Sequence, residues 1–284
     1  MIRLAVRLAR ADAASALAEL LVFSPAGVEE VDIDGETIEY VLYGAPGELP
    51  TLPALRASVG HALVDVSTTE IADDWFSRWR SFHRPLEIAG TLYVRPPWHE
   101  PAPRTGLIDV VIDPGQAFGT GSHATTRLCL ELLVALASAG EAAGPLLDLG
   151  TGSGVLAIAA AKLGFSPVSA VDHDPESVAA ARENAAANGV EVEVSRLDLR
   201  AEEPPSAPTI TANLLRPLLL ELAARVSAPP VRLIASGLLT DQLDEVARAF
   251  GERQHLRERA RRTDGEWAAL LLERGRGGRI LSPT

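Results

Sequence analysis

Residues 145–164, PLLDLGTGSGVLAIAAAKLG, decide the fold class of this chain. A short apolar run that suits a buried strand leads into a turn with three glycines, and an apolar helical segment follows. Glycine permits positive φ and a close approach of a ligand to the backbone, and amide groups at a helix start favour polar or anionic groups. The stretch therefore predicts a strand, a tight turn and a helix that bind a nucleotide-like ligand through Gly150, Gly152 and Gly154.

The spacing of these glycines indicates which nucleotide binds. The dinucleotide fingerprint G-x-G-x-x-G needs a third glycine where this chain has Val155, whereas the chain has G-x-G-x-G with Asp148 just ahead. That spacing favours S-adenosylmethionine over NAD as the cofactor. An NAD-dependent oxidoreductase remains the alternative for a glycine turn followed by a distal acid.

The distal acid lies in the next predicted strand and helix, AVDHDPESVAAARENAAANG. Asp172 closes the strand, where a carboxylate can accept hydrogen bonds from both ribose hydroxyls of a nucleotide. Asp174 is suited to cap the following helix, and Pro175 suits its first turn. The joint placement of the glycines and Asp172 favours ligand binding over a plain turn and a solvated loop carboxylate.

The rest of the chain predicts two folded parts. From about residue 106, short apolar runs alternate with amphipathic helices, which predicts a largely parallel sheet wrapped by helices. Residues 254–274 predict two strands joined at Asp264-Gly265, so the sheet ends in an antiparallel hairpin. The first 70 residues follow the order strand, helix, strand, strand, helix, strand, which predicts a small ferredoxin-like α+β domain for substrate recognition.

A tryptophan- and proline-rich stretch, residues 71–105, separates these parts and is interpreted as an interdomain connector. It carries a group of large aromatic side chains, Trp75, Trp79, Phe82 and Trp98. These side chains either line a substrate entrance or pack the connector against the C-terminal part, and the sequence does not separate the two interpretations.

Composition limits the partners and the compartment. The formal net charge of −12 argues against a basic nucleic-acid-binding surface and agrees with a basic protein partner. The only cysteine, Cys129, cannot form an intramolecular disulfide, and no apolar run approaches the ~18 residues of a membrane span. The histidines show no metal-ligand spacing. These features predict a cytoplasmic protein without metal, membrane or direct nucleic-acid partners, and we expect a monomer.

A second glycine-rich stretch, DPGQAFGTGSHATT, lies shortly before the first. It is not a phosphate-binding P-loop, because it contains no lysine. Gly119 and Gly121 make the stretch compliant, and Thr125 and Thr126 place hydroxyl groups in the first turn of the helix that follows.

The chain resembles the PrmA family, bacterial methyltransferases of large-subunit ribosomal protein eleven. The motifs that carry the resemblance are WFSRWRSFHRPL, DPGQAFGTGSHATT, LLDLGTGSGVLAIAA, VDHDP and ANLL, in the family's order and approximate spacing. The resemblance implies an α/β fold: a Rossmann-like, seven-stranded S-adenosylmethionine-dependent methyltransferase domain over residues 106–284, preceded by the ferredoxin-like domain. It also implies methyl transfer to lysine amines of that ribosomal protein, with its N-terminal amine as a further candidate acceptor.

The resemblance further implies the cofactor contacts. Residues matching Thr126, Gly150, Asp172 and Asn213 contact the cofactor in the family. The loop of DPGQAFGTGSHATT, with Gly119 and Thr120, folds over the cofactor. Gly152 and Gly154 complete the turn. The chain departs from the family pattern at three positions, which are Ala124 for proline, Thr151 for a common cysteine and Arg216 for a small residue.

Asn213 is the leading catalytic candidate because it ends a predicted strand, where many amino-group methyltransferases carry an Asn-Pro-Pro-aromatic motif. Its carboxamide oxygen is suited to accept a hydrogen from a substrate amine and to aim the lone pair of the nitrogen. A lysine with a reference pKa of ~10.4 is mostly charged at neutral pH, so the site must favour deprotonation. His123 is a candidate base by position alone, and a loop-structural role is the stronger interpretation.

Three further functions stay open on the sequence. In the first, the chain is a methyltransferase of another protein, and in the second it is a methyltransferase of a small amine. In the third, it binds the cofactor or a ribosomal component without catalysis. A small-molecule substrate does not need a separate docking domain, and the complete set Gly150, Asp172 and Asn213 argues against a purely binding role.

Overall fold

The computed structural model describes residues 2–20, 28–44, 49–70, 83–114 and 121–275. These residues form three sheets with helices packed against them. The sheets follow one another along the chain, which agrees with the change of sequence pattern after about residue 70.

The first sheet is antiparallel and has the strand order β2-β3-β1-β4. Its strands are β1 Ile2–Ala9, β2 Glu29–Asp32, β3 Thr37–Gly44 and β4 Leu63–Glu70, and its helices are α1 Ala13–Leu20 and α2 Leu52–Val59. Alternate side chains of β1, Leu4, Val6 and Leu8, are buried in a common core with both helices, as the period of a strand requires.

The second sheet is small and lies partly in the predicted connector. Its strands are β5 Leu86–Ile88, β6 Leu92–Arg95 and β7 Ile108–Val111, with β5 antiparallel and β7 parallel to β6. Leu92 and Val94 of β6 share a hydrophobic core with the helices of the C-terminal part. The connector therefore contributes packed strands to that part as well as a link.

The third sheet is mixed, with the order β10-β9-β8-β11-β12-β14-β13. Its first five strands are parallel, and the last two form an antiparallel hairpin. The strands are β8 Leu146–Leu149, β9 Val168–Asp172, β10 Glu193–Arg196, β11 Thr209–Asn213, β12 Arg232–Leu239, β13 Leu256–Asp264 and β14 Trp267–Arg274. The predicted α/β fold and the predicted terminal hairpin at Asp264-Gly265 are confirmed.

Helices cover both faces of this sheet and create two hydrophobic cores. They are α3 Ala124–Ser138, α4 Val155–Leu163, α5 Pro175–Ala187, α6 Arg216–Arg225 and α7 Leu243–Gln254. One core contains α3, α4 and α5, and the other contains α6 and α7. Because both faces are covered, the central strands are buried along their length: β8 is fully buried. None of the helices in the described ranges is long and apolar enough to cross a bilayer.

Candidate functional site

The order in which the chain adds strands to the sheet reverses at one point, which lies between the neighbouring strands β8 and β11. From β8 the chain adds β9 and then β10 on one side, and it returns to add β11 and β12 on the other side. Parallel α/β sheets bind ligands outside the carboxyl ends of the strands at such a switch point. The glycine turn follows β8, Asp172 ends β9 and Asn213 ends β11. The three predicted groups therefore lie at the same edge, on adjacent strands.

The glycine turn adopts the conformation that its sequence predicts. Gly150, Gly152 and Gly154 have φ values of 68°, 53° and 84°, in a region that side chains disfavour. The amide of Gly150 donates to Val171 O at 2.9 Å, which ties the turn to β9. A Cβ atom on Gly150 would lie 2.5 Å from Leu214 Cδ2, so a side chain there would displace the end of the Leu214 side chain.

Asp172 is held against the turn. Its side chain is buried; Oδ2 accepts from Gly152 N at 2.9 Å and Oδ1 accepts from Asp174 N at 3.1 Å. Oδ1 also lies 3.2 Å from His173 Nδ1, whereas Oδ2 has a second lone pair with which to accept a hydrogen bond from a ligand. The prediction that Asp174 caps α5 is confirmed, because its carboxylate accepts from the amides of Glu176 and Ser177.

Asp148 lies beneath the turn and has no contact with solvent. Its oxygens accept from the hydroxyl groups of Thr151 and Thr211, each at 2.6 Å. Burial raises the pKa of Asp148 to about 6, against the lowering effect of these two hydrogen bonds. Thr151, the departure from the family pattern, therefore has a role: its hydroxyl connects the turn to β8, and Thr211 connects β8 to β11.

Asn213 lies beside the start of α3. Its Nδ2 is 3.2 Å from Thr125 Oγ1 and 3.3 Å from Thr126 Oγ1, and both threonines are almost completely buried. Both N–H groups of the carboxamide are used in this way, so the polar atom that remains in the side chain is its acceptor oxygen. The structure thus brings Thr126 and Asn213, predicted from separate motifs, into direct contact.

His123 caps α3. Its Nδ1 accepts from Thr125 N at 3.4 Å and lies 2.8 Å from Thr125 Oγ1. Ala124, at the position where the sequence departs from the proline of the family pattern, is the first residue of the helix. Burial and the positive charge of Arg127 lower the pKa of His123 to about 4, so its ring is neutral at pH 7. Since Nδ1 is an acceptor, the neutral ring carries its proton on Nε2, and this geometry supports the structural role for His123.

The tip of the terminal hairpin packs on this end of α3, which sequence reasoning did not anticipate. The Trp267 ring meets the His123 ring edge to face, with centroids 4.8 Å apart. Asp264, directly opposite Trp267 in the hairpin, forms an ion pair with Arg127 of α3. Trp267 also packs against both the N-terminal core and the core of the C-terminal part. The hairpin tip thus connects the site to the N-terminal sheet.

Gly237 is a second residue that sequence reasoning missed. It has a φ of 82° and lies at a register shift of β12, where a Cβ atom would be 2.4 Å from Leu214 O. Leu214 follows Asn213 directly, and its amide donates to Ser236 O at 3.0 Å. An isolated glycine in an apolar strand pattern signals such a close approach of two backbones.

Several predicted residues lie away from these contacts or outside the described chain. Gly119, Thr120, Trp75, Trp79 and Phe82 fall outside the described residues. Trp98 meets His83 edge to face, with centroids 6.5 Å apart. Arg216 starts α6 and forms an exposed ion pair with Glu245 at 2.7 Å. Within the described ranges, no group of three or more histidine, cysteine or acidic side chains is arranged to hold a metal ion.

Comparison with known proteins gives one consistent result. A sequence model of the family described as "Ribosomal protein L11 methyltransferase (PrmA)" matches residues 49–275. A relative of that name from Pelobacter propionicus is 41% identical over 254 residues, which cover 87% of this chain and 79% of the relative. Another, from Geobacter metallireducens, is 42% identical over 212 residues and covers 73% of this chain and 69% of the relative.

Coverage is smaller for some relatives and in the solved structures. The matched segment spans 65% of the length of the relative from Symbiobacterium thermophilum, which is 40% identical over 202 residues. The crystal structure of a ribosomal protein L11 methylase from Lactobacillus delbrueckii subsp. bulgaricus superposes with a TM-score of 0.60 at 31% identity. That match covers 68% of this chain and 99% of the other chain.

Proposed function

Because this chain belongs to the ribosomal protein L11 methyltransferase (PrmA) family, we propose that it transfers methyl groups from S-adenosylmethionine to amine groups of ribosomal protein L11. The proposed acceptors are lysine side chains, with the N-terminal amine as a further candidate. The observation that carries the proposal is the convergence of the glycine turn, Asp172 and Asn213 at the carboxyl ends of three adjacent strands. This convergence supports a nucleoside site next to a carboxamide that orients the substrate amine.

The residues present fit the cofactor. Gly150, Gly152 and Gly154 leave a backbone surface without side chains, and their positive φ values disfavour any other residue there. Asp172 supplies buried acceptor capacity at the strand end, where a ribose is expected. Thr126, beside Asn213, is the proposed contact for the methionine end. When bound, S-adenosylmethionine supplies an electrophilic methyl group on a positively charged sulfonium.

The remaining chemistry belongs to the side chains around Asn213. Its Nδ2 is engaged by Thr125 and Thr126, so its oxygen accepts a hydrogen from the substrate amine and fixes the direction of the nitrogen lone pair. Amine deprotonation is favoured by desolvation of the substrate group on entry. We assign His123 to holding the start of α3, because its Nδ1 is occupied by Thr125 and its pKa of about 4 makes it a weak base at pH 7.

We propose that the chain has the domain division expected from its sequence: residues 1–70, a connector over 71–105, and 106–284. The strand order β4-β1-β3-β2 with two helices supports a ferredoxin-like N-terminal domain, and the switch point supports a Rossmann-like C-terminal domain. The net charge of −12 supports capture of a basic protein substrate. A single cysteine supports the cytoplasm as the compartment, and a monomer is the proposed state.

The test is mass spectrometry of purified ribosomal protein L11 after incubation with the enzyme and S-adenosylmethionine. We expect lysine residues to gain about 14 Da for each methyl group added, and we expect Asn213→Ala to lower kcat by about 100-fold or more. Calorimetry is expected to show a smaller rise in the Kd of the cofactor than the fall in kcat, because Thr126, Gly150 and Asp172 keep their proposed contacts. Cofactor binding without transfer to ribosomal protein L11 would redirect the proposal to another protein or a small amine, and transfer to no component of a cell extract would indicate a binding role.

A further inference from the structure

Asn184 of α5 and Asn188, which caps the C-terminal end of α5 one helical turn later, hold the end of β7 and the residues directly after it. Asn188 Oδ1 accepts from Val111 N at 2.9 Å, and its Nδ2 donates to Val111 O at 2.6 Å. Asn184 Oδ1 accepts from Asp113 N at 2.9 Å. Residues at positions i and i+4 share a helix face, so the two carboxamides act together as a substitute for a neighbouring strand along residues 111–113.

Asn184 makes one further hydrogen bond that Asn188 does not make. Its Nδ2 donates to Ser153 O at 2.9 Å, and Ser153 lies between the last two glycines of the turn. Asn184 is only 4% exposed. Water does not replace a partner lost at such a depth, so each bond constrains the groups that it joins.

The same face of α5 also touches the turn directly. A Cβ atom on Gly154 would lie 3.1 Å from Cα of Ala181, which precedes Asn184 by one helical turn. The helix therefore approaches the turn closely at Ala181 and fixes one of its carbonyl groups through Asn184. Through the Asn184 side chain the turn is joined to Asp113, the first residue of the stretch DPGQAFGTGSHATT.

We infer that Asn184 is a positioning residue of the cofactor site, through which α5 holds the glycine turn in its binding conformation. This inference rests on the proposed function, because it assigns the turn to S-adenosylmethionine. Glycine on both sides of Ser153 gives the peptide groups wide rotational freedom, and the bond to Asn184 removes part of it. A turn without this bond must be ordered when the cofactor binds, which weakens the binding.

The alternative is that Asn184 only stabilises the fold, and Asn188 supplies the matched control. Asn184→Asp keeps the acceptor for Asp113 N but places a carboxylate oxygen against Ser153 O. Asn188→Asp makes the same chemical change on the same helix face, against Val111 O and the backbone oxygen of Asn184 and away from the glycine turn. Both variants lose stability, and only the first is expected to disturb the cofactor site.

The experiment measures the Kd of S-adenosylmethionine by calorimetry and the thermal unfolding temperature for the wild type and both variants. We expect Kd to rise about tenfold in Asn184→Asp and less than about twofold in Asn188→Asp, with lower unfolding temperatures in both. Equal Kd values in the two variants would overturn the inference. The pair Asn184→Ala and Asn188→Ala repeats the comparison without an added charge, and it decides the question if an aspartate variant does not fold.

The outcomes separate this inference from the proposed function. A wild-type protein that binds S-adenosylmethionine but leaves ribosomal protein L11 unmodified contradicts the proposed substrate and leaves the role of Asn184 standing. A wild-type Kd in both position-184 variants contradicts the role of Asn184 alone. A wild-type protein that binds no S-adenosylmethionine contradicts both.

Discussion

At the scale of single residues, a substitution of His123 distinguishes a structural role of its ring from a catalytic role. Asparagine is a good N-cap, so His123→Asn keeps an acceptor for Thr125 N while it removes the titrating ring. We expect the variant to keep methyl transfer within about threefold of the wild type at pH 7, whereas loss of a general base lowers kcat by about 100-fold or more. Steady-state kinetics with ribosomal protein L11 measures the difference.

The same variant predicts a pH dependence of stability. The pKa of His123 is about 4 in the folded protein against a model value of 6.5, so the folded protein binds fewer protons than the unfolded chain between these values. The contribution of the neutral His123 ring to the free energy of unfolding is therefore fully present above pH 6.5 and is lost as the pH falls through 4. We expect the free energy of unfolding of the wild type to fall, relative to His123→Asn, by on the order of 2 kcal/mol across this window. A constant difference from pH 7 to pH 4 would contradict a partly buried, neutral His123.

Gly237 makes a prediction about the backbone beside Asn213. In Gly237→Ala the new Cβ atom meets Leu214 O at 2.4 Å, so either Leu214 or β12 must move. We expect kcat to fall by about tenfold or more and stability to fall by about 1–3 kcal/mol, with a smaller change in the Kd of the cofactor. Gly90→Ala is the control, because Gly90 also has a positive φ of 65° but has open space where the Cβ atom would lie. Equal kinetic effects in the two variants would argue that backbone strain alone explains the loss.

At the scale of secondary-structure elements, the local patterns of the sequence predicted most of what the structure shows. The turn after β8, the acid at the end of β9 and Asn213 at the end of β11 are each encoded within a few residues, by glycine spacing or by the end of an apolar run. The two short strands of the predicted connector were missed because tryptophan and proline dominate its composition. Their apolar side chains become buried only when the C-terminal core packs against them.

The contacts that position the site could not be predicted in the same way. Asn184 looks like a polar surface residue in an alanine-rich helix, and Trp267 looks like an ordinary strand residue. Their partners lie far away in sequence, so their roles depend on how α5 and the hairpin pack in three dimensions. Only the paired asparagines of NAAAN and the glycine inside β12 leave a recognisable signal in the sequence.

The hairpin tip makes a prediction at this scale. Trp267→Ala removes the edge-to-face contact with His123 and the packing between two cores, whereas Trp267→Phe keeps an aromatic ring at the position. We expect the alanine variant to lose about 2–4 kcal/mol of stability in denaturant unfolding and the phenylalanine variant to lose less than half as much. Equal losses in the two variants would show that the aromatic contact contributes little.

At the scale of the whole molecule, the net charge of the chain bears on how it would meet the proposed protein substrate. The chain carries 38 acidic residues against 26 lysine and arginine residues, which gives the formal net charge of −12. Charge of one sign over a whole protein speeds the encounter with a partner of opposite charge, and salt screens this attraction. The proposed cofactor site, by contrast, lies at the switch point of the sheet, where Gly152 and Asp172 act over hydrogen-bond distances.

These two kinds of binding predict different responses to salt. Between about 50 mM and 500 mM potassium chloride, we expect kcat/KM for ribosomal protein L11 to fall about tenfold, because the Debye length shrinks from well above to well below 10 Å. The Kd of S-adenosylmethionine, measured in the same buffers, serves as the internal control and is expected to change by less than about threefold, since Gly152 and Asp172 are buried and act over hydrogen-bond distances. A value of kcat/KM that is independent of salt would mean that the acidic surface does not attract the substrate, and that recognition rests on the shape of the N-terminal sheet and the connector.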